Sequence, residues 1–593
     1  MQVLIIGSGG REHALAWKLK QSPKVSRIFC APGNAGISNM AECVQIGANE
    51  IEQLADFARQ KGVDFTFVGP EEPLTLGIVD YFEEKGLKAF GPSRQAAALE
   101  GSKVFMKNLL AKYNIPTGFY KTFDDRQQAI AYIKEKGAPI VVKADGLAAG
   151  KGVIVAGDIA EAVAAVDLIL TEQSFGEAGK QVVVEEFLAG EEASFLAFTD
   201  GETILPLPSS QDHKAVFNDD KGPNTGGMGA YSPAPVLTEE LQQQVMEEIM
   251  WPTVKAMAAE GRPYKGILYA GLMIKDGKAK VLEFNCRFGD PETQPLLMRL
   301  KSDLVEVIEG VMAGNLSQVH LEIDPRPAVC VVMASGGYPG SYEKGRVVHG
   351  LDRDFGQDVV VFHAGTAFRD GQIVTAGGRV LGVTARAPRL EDAITAAYQA
   401  VGKIAWEGCF FRTDIGQKAL RKAQPNGDQQ LVGIVLGSDS DLPVFKGALE
   451  FLKKMGVAYE LLVSSAHRSP ERAANYASKA GERGLKVIIA GAGVAAHLAG
   501  VLAAHTTLPV IGVPVASSPL NGFDSLLSTV QMPPGVPVAT MGIGKAGAQN
   551  AAILATQILA LSDSVMGEKL NSFKQEMAES VVRKSEAIEN IDH

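Results

Sequence analysis

One punctuation recurs along this chain and limits what it can fold into: a short apolar run ends in a glycine- or serine-bearing loop, and a helical stretch follows. Residues 2–6 lead into Gly7-Ser8-Gly9-Gly10-Arg11-Glu12-His13, residues 28–31 into Pro32-Gly33-Asn34-Ala35-Gly36, and residues 65–68 into Gly69-Pro70-Glu71-Glu72-Pro73. Strands that alternate with helices and end in such loops build a parallel sheet, with ligands gathered beyond its carboxyl edge. The pattern restarts at residues 431–436, which run into Gly437-Ser438-Asp439-Ser440-Asp441. Residues 461–463 then enter Ser464-Ser465-Ala466-His467-Arg468-Ser469-Pro470, residues 487–490 enter Gly491-Ala492-Gly493, and residues 510–513 enter a loop bearing proline and serine. A tight turn explains any one of these glycines but fits the series poorly. Between the two sets, residues 422–430 are polar, carry Pro425 and Gly427, and have no apolar period, the composition of a linker. At 593 residues the chain exceeds a single core, and its length predicts roughly three to five domains.

The first half carries residues suited to nucleotide chemistry. In Val281-Leu282-Glu283-Phe284-Asn285-Cys286-Arg287, a strand would direct Glu283 and Asn285 to one face and Leu282, Phe284 and Cys286 to the other. Two hard oxygen donors with room for water and phosphate suit magnesium held jointly with a nucleotide. Arg287, just past the strand end, is placed to clamp a phosphate or carboxylate. Residues 140–143 form a strand ending in Lys143, followed by Ala144-Asp145-Gly146-Leu147-Ala148-Ala149-Gly150-Lys151-Gly152, a flexible cover for polyphosphate. Its spacing is not that of the nucleoside-triphosphatase P-loop. Residues 182–188 form a strand ending in Glu185-Glu186-Phe187-Leu188, with Glu192 beyond, acidic groups able to take adenine and ribose hydrogen bonds. Residues 210–214 and then 222–229 are too polar and glycine-rich for core and are expected to form a substrate loop. The glycine turn at Gly7–Gly10 offers backbone N–H groups to a phosphate or carboxylate, but Glu12 replaces the third glycine of the dinucleotide fingerprint.

Bulk properties exclude other classes. A net charge of −11 argues against a general nucleic-acid or anionic-membrane binder. Five cysteines without metal-type spacing fit a reduced, cytoplasmic setting. The start lacks the basic, then apolar character of a signal peptide. Residues 487–504 lack formal charge, yet Gly491, Gly493, His497 and Gly500 interrupt them, so a buried strand and helix are expected rather than a membrane span.

Gly-Gly-Arg-Glu-His, Lys-Ala-Asp-Gly-Leu-Ala-Ala-Gly-Lys-Gly, Gly-Pro-Asn-Thr-Gly-Gly-Met-Gly and Glu-Phe-Asn-Cys-Arg-Phe-Gly-Asp-Pro-Glu occur in that order between residue 1 and about residue 423. Together they closely resemble the phosphoribosylamine–glycine ligases, ATP-grasp enzymes of purine biosynthesis. The resemblance implies a parallel-sheet N-terminal domain (1–100), an ATP-grasp domain (101–325) and an α+β C-terminal lobe (326–423) that closes over the nucleotide. It implies that Lys103 and Lys143 contact ATP phosphates, that Glu185, Glu186, Phe187 and Leu188 hold adenine, and that Glu192 holds ribose. Glu283 and Asn285 would bind Mg2+ or Mn2+. Arg287, Asp212, His213, Lys214 and the loop Asn224, Thr225, Gly226, Gly227, Met228, Gly229 would line the pocket for glycine and phosphoribosylamine, with Arg287 at the reacting groups. Ala215 departs from the family, which commonly has a basic residue there.

Beyond the linker (424–430), Gly-Ser-Asp-Ser-Asp, Ser-Ala-His-Arg-Ser-Pro, Ala-Gly-Ala-Gly and Ala-Ala-His-Leu resemble carboxyaminoimidazole ribonucleotide mutases. The implied fold of residues 431–593 is flavodoxin-like α/β, and the implied reaction moves a carboxyl group on carboxyaminoimidazole ribonucleotide from the exocyclic nitrogen to the ring carbon. Ser438, Asp441 and Arg468 would bind the nucleotide, with His467 as acid/base, the residue here able to exchange protons near neutral pH. Val494 and Ala499 stand where the family usually has glycine and proline. Met566, Leu570, Phe573, Met577 and Val581 form an apolar helical stripe, and the mutases' octameric state implies that it meets a neighbouring copy. The resulting expectation is a cytoplasmic, bifunctional, octameric enzyme acting on small molecules, without nucleic acid or membrane. The alternatives are a noncatalytic C-terminal oligomerisation module, a carboxylase using carbon dioxide directly, and a ligase for another acid and amine.

Overall fold

The computed structural model describes residues 1–146, 152–171, 179–423 and 430–589. The chain divides into two compact units, Met1–Leu420 and Arg421–His593. The centre of the predicted polyphosphate cover, residues 147–151, and residues 424–429 of the predicted linker lie outside the described residues.

The first unit opens with a five-stranded parallel sheet, in the order Glu42–Cys43, Arg27–Pro32, Gln2–Gly7, Phe65–Val68, Ala89–Phe90. Its strands show no apolar alternation because both faces are buried. Leu4, Ile6, Phe29 and Val68 join one core, while Val3, Ile5, Cys30 and Phe67 join another. Two four-stranded antiparallel sheets follow. The smaller orders Tyr120–Phe123, Val182–Glu186, Ile140–Ala144 and Val153–Ala156. The larger orders Ile204–Pro206, Glu191–Thr199, Gly266–Lys275 and Lys278–Asn285. Residues 187–190 carry the chain directly from one sheet to the other.

Within Lys278–Asn285 the register slips: Val281 faces Leu272 and Glu283 faces Gly271, leaving Leu282 as an extra residue. Simple alternation therefore fails at Leu282. It holds beyond, where Phe284 and Cys286 are buried and Glu283, Asn285 and Arg287 are half-buried.

The fourth sheet orders Gln211–Asp212, Gly229–Ser232, Ala328–Ala334, Arg379–Arg386 and Val359–His363. Residues 210–229 are thus not a plain loop, since they supply strands to this sheet and form a separate hairpin, Ala215–Phe217 with Lys221–Asn224. Polar, glycine-rich composition concealed them because short strands at a sheet edge need little apolar area.

The second unit is a five-stranded parallel sheet in the order Tyr459–Val463, Val432–Leu436, Val487–Gly493, Val510–Val515, Ala539–Thr540. Val432, Ile434 and Leu436 pack into one core and Val435 into the other, with helices covering both faces. Residues 487–504 are a buried strand, Val487–Gly493, and a helix, Leu498–Ala504. The terminal helix, Ser564–Glu589, divides the predicted stripe: Met566 and Leu570 are buried in the unit's own core and Phe573 meets Phe451 edge-on at 5.0 Å, whereas Met577 and Val581 are exposed. No helix of the described residues is long and apolar enough to cross a membrane.

Candidate functional site

In the first unit, Lys214 bridges two carboxylates, Glu192 and Glu283. Lys214 Nζ lies 3.4 Å from Glu283 Oε1 and 3.0 Å from Glu192 Oε2. Lys214, with Lys143 and Lys103 adding to it against burial, holds the Glu283 carboxyl down at about 2. Asn285 follows two residues along the same strand. Burial, only partly offset by Lys214 and reinforced by Glu292, Glu192 and Glu283, pushes Asp212 upward. Glu292 accepts from Ser194 Oγ at 3.1 Å and from the Tyr269 hydroxyl.

Lys103 begins the helix Lys103–Lys112, which Ser102 caps by accepting from the Phe105 N–H at 3.1 Å. Asp145, at the mouth of the glycine-rich segment, accepts from Ser102 Oγ and from the Val104 N–H at 3.1 Å. Lys103 Nζ donates to the Gly146 carbonyl at 2.8 Å. One turn along the same helix stands Lys107, fully buried, donating to Thr117 Oγ1 at 2.9 Å and paired with Glu185. Glu185 is also paired with Lys143. Against burial, Lys143 and Lys107 hold Glu185 below the usual carboxylate range. The resemblance implied an adenine contact for Glu185; its carboxylate meets Lys107 and Lys143. It is a buried clasp for two lysines. Glu186 accepts from the Phe119 N–H at 3.2 Å and from Lys280, Phe187 is exposed, and Leu188 is half-buried on the segment between the two sheets. Lys107 and Asp145 were absent from the sequence assignment. The available signal for Lys107 was its position one turn after Lys103 among Met106, Leu109 and Leu110, where a lysine needs a buried partner.

Arg287 is already engaged, with Glu71 Oε2 at 3.1 Å and Glu100 Oε1 at 2.9 Å. Glu100 also accepts from the Cys286 N–H at 2.7 Å, tying the strand end to the first domain. The backbone just past Gln211–Asp212 separates the neighbours of His213: Asp212 and Lys214 face the carboxylates, while His213, 1 % exposed, packs beside Tyr231 with neither ring nitrogen hydrogen-bonded. Burial, with Arg412 and Lys418 nearby, lowers it to about 3. His213 does not line the cluster that Asp212 and Lys214 form.

In the 224–229 loop, Asn224 is exposed and Thr225 Oγ1 donates to the Lys214 carbonyl at 2.8 Å. Arg379 Nη1 donates to the Gly226 carbonyl at 2.8 Å and to the Asp290 carbonyl at 2.6 Å. Gly227 has φ +115°, and a Cβ there would lie 2.4 Å from Pro291 Cδ. Met228 and Gly229 are buried. The glycine turn of the first strand does meet a carboxylate, but it is the chain's own: the Gly9 N–H donates to Glu12 Oε2 at 2.6 Å. A Cβ on Gly69 would lie 2.1 Å from Glu12 Oε1, so both glycine turns close around this side chain.

The second unit places its chemistry on loops at the sheet's carboxyl edge. Ser438, Asp441, Ser465, His467, Arg468 and Val494 are among the residues lining a cleft of about 360 Å³. The Ser438 N–H donates to Asp441 Oδ2 at 3.1 Å, and Asp441 is 5 % exposed, raised by burial. His467 Nε2 lies 2.9 Å from His497 Nδ1, with an angle of 79° between the ring planes. His497 was not assigned to the site from sequence. Val494 has φ +57° and is exposed.

The paired antiparallel sheets with their lysines and carboxylates define an ATP-grasp fold, and the second unit is flavodoxin-like. Models of the phosphoribosylglycinamide synthetase N domain, ATP-grasp (A) domain and C domain match residues 1–100, 101–293 and 328–418, and the AIR carboxylase model matches residues 431–580. The chain is 57 % identical to phosphoribosylamine–glycine ligase of Pseudomonas aeruginosa over 425 residues, 71 % of this chain and 99 % of that protein. Identity to the Escherichia coli ligase is 57 % over 428 residues, 72 % of this chain and all of that protein. The crystal structure of phosphoribosylamine–glycine ligase from Thermotoga maritima is similar with a TM-score of 0.61 at 33 % identity, covering 70 % of this chain and 100 % of that one. A biotin carboxylase domain from Hydrogenobacter thermophilus shares the fold, with a TM-score of 0.56 at 18 % identity over 69 % of this chain and 91 % of that one. The chain belongs to the phosphoribosylamine–glycine ligase family and carries an AIR carboxylase domain in its second unit.

Proposed function

We propose that residues 1–423, comprising domains 1–100, 101–325 and 326–423, join glycine to 5-phosphoribosylamine with ATP, and that residues 431–593 move a carboxyl group within carboxyaminoimidazole ribonucleotide. The protein is a bifunctional enzyme of purine biosynthesis. The observation that carries the ligase assignment is the Lys214 ammonium held between Glu192 and Glu283, together with Glu185 clasping Lys107 and Lys143.

A carboxylate does not acylate an amine unaided. The glycine carboxylate oxygen attacks the γ-phosphorus, ADP leaves, and the amine nitrogen of phosphoribosylamine then displaces phosphate from glycyl phosphate. Lys103 and Lys143 hold the phosphates and offset charge as the phosphoryl group transfers. Glu185 and Lys107 position Lys143. Glu186, Phe187 and Leu188 flank adenine, and Glu192 takes the ribose. Asp212, Lys214, Arg287 and the 224–229 loop receive glycine and phosphoribosylamine, and His213 supports the segment between Asp212 and Lys214 from behind.

Glu283 and Asn285 fit a divalent cation, Mg2+ or Mn2+: both present oxygen, both are half-buried, and Glu283 is held ionised. When bound there, the ion supplies positive charge to the phosphate oxygens. Glycine labelled with 18O in its carboxylate tests this route. One label should appear in inorganic phosphate, and phosphate free of label would rule out glycyl phosphate.

In the second unit His467 exchanges the proton at the ring carbon, and Ser438, Arg468 and the Asp441-stabilised loop hold the nucleotide. We assign the protein to the cytoplasm and its assembly to an octamer built on residues 431–593. The exposed Met577 and Val581 support that assembly. A monomeric mass by light scattering at micromolar concentration would refute it.

A further inference from the structure

Behind the Asp212–Lys214 segment, beside His213, lies Arg412, a guanidinium only 1 % exposed. Its Nε and Nη2 donate to the two oxygens of Asp414, at 2.8 and 2.6 Å. Its Nη1 donates to the Ala215 carbonyl and to Asp220 Oδ1, both at 3.0 Å. The neighbours extend the same contact residue by residue. Asn218 Nδ2 donates to Thr413 Oγ1 at 2.7 Å, the Thr413 N–H donates back to Asn218 Oδ1 at 2.9 Å, and the Asp219 N–H donates to Asp414 Oδ2 at 2.9 Å. Lys418 pairs with Asp220. Most of the hairpin between Ala215 and Asn224 is otherwise exposed.

The hairpin grows directly out of Lys214. On one side, the Lys214 carbonyl accepts from the Thr225 N–H and Oγ1, each at 2.8 Å. On the other, the next carbonyl, that of Ala215, is held by Arg412. The peptide that carries Lys214 is thus fixed from both sides, and the Lys214 ammonium reaches Glu192 and Glu283 from that fixed base. A planar fork is required, because the same group must span Asp414, Asp220 and a carbonyl. A lysine offers no such geometry.

We propose that Arg412 is a positioning residue of the ligase: it touches no substrate and sets Lys214 in the site by clamping the hairpin through Ala215 and Asp220. This rests on the proposed role of Lys214 in the glycine and phosphoribosylamine pocket. A double-mutant cycle on the full chain tests it, with carboxyl migration by the second unit monitoring the integrity of the preparation. Arg412→Met should lower kcat/KM for glycine roughly tenfold, and the same change in a Lys214→Met background should cost less than about twofold. Equal losses in both backgrounds, or an unchanged kcat/KM in Arg412→Met, would overturn the proposal. If Arg412→Met yields no folded ligase unit, Asp220→Asn removes only the hairpin's side of the clamp. Its loss of roughly threefold should vanish in the Lys214→Met background, and a loss that persists there overturns the proposal. Wild-type ligation by Lys214→Met alone would instead remove the assignment of Lys214 on which the proposal rests.

Discussion

In the ligase unit, Lys214 is held between Glu192 and Glu283, Glu185 is paired with Lys107 and Lys143, and Lys103 donates to the Gly146 carbonyl, all half-buried or buried groups brought together from separate elements. In the mutase unit, His467 and Arg468 stand exposed on one loop, and most of their loop's hydrogen bonds close within five residues, as from the Arg468 N–H to Ser465 Oγ and from the Ser465 N–H to Ser469 Oγ. The difference separates two ways of building a site. The ligase organises charge through long-range burial, which makes each pair costly to break. The mutase presents its groups from local loops on a rigid parallel sheet, so a side chain can change with little effect on the scaffold.

Breaking the buried arrangement should have the largest effect. Glu283→Ala leaves Lys214 without one of its two carboxylate partners and Asn285 without the charged donor beside it. Glycine-dependent ATP turnover should fall by roughly a thousandfold or more, with carboxyl migration unchanged. Full ligase activity in that variant would remove the site assignment.

Acid sharpens the same contrast. Burial holds His13 at about 3, with His363 adding, His213 at about 3, and His363 at about 4. All three are neutral when folded, whereas the unfolded side chain titrates near about 6.5. Between those values the unfolded chain binds protons that the folded unit refuses. Stability therefore rises with pH in this window and is lost as pH falls below about 6.5, by up to about 1.4 kcal/mol per pH unit for each histidine. The second unit's His467, His497 and His505 are exposed. Calorimetry from pH 7 to pH 5 should lower the ligase transition more than the mutase transition, and parallel shifts would contradict the account.

The smallest effect belongs to Val494. A β-branched residue at φ +57° is strained, and glycine adopts this conformation freely. Val494→Gly should raise the stability of the second unit by about 1 kcal/mol and open the cleft wall. Loss of stability in denaturant titration would show that the valine packs productively.

These contrasts explain what the sequence could disclose. Parallel sheets were legible from apolar runs ending in glycine loops, because burial on both faces writes a continuous pattern. The mutase loop was legible because Ser438, Asp441, His467 and Arg468 lie in short local stretches. His497 was missed because its partner His467 comes from another strand end. The clasp of Glu185 by Lys107 and Lys143, and the opposed faces of His213 and Lys214, depend on pairings between distant segments that no local spacing records. Leu282 misled for a related reason, since a one-residue register slip is set by the partner strand and not by its own neighbours. The hairpin at Ala215–Asn224 was hidden by composition suited to an exposed loop.

The proposal is that one chain holds two separate catalytic sites. It is tested most directly by measuring both reactions on the wild-type chain and on His467→Asn, which stays polar but cannot exchange protons near neutral pH. The wild type should catalyse glycine ligation and carboxyl migration. His467→Asn should keep full ligation and lose migration by roughly a hundredfold or more. A wild-type chain that ligates glycine but leaves carboxyaminoimidazole ribonucleotide unchanged, or a His467→Asn chain that migrates the carboxyl group at the wild-type rate, would contradict it.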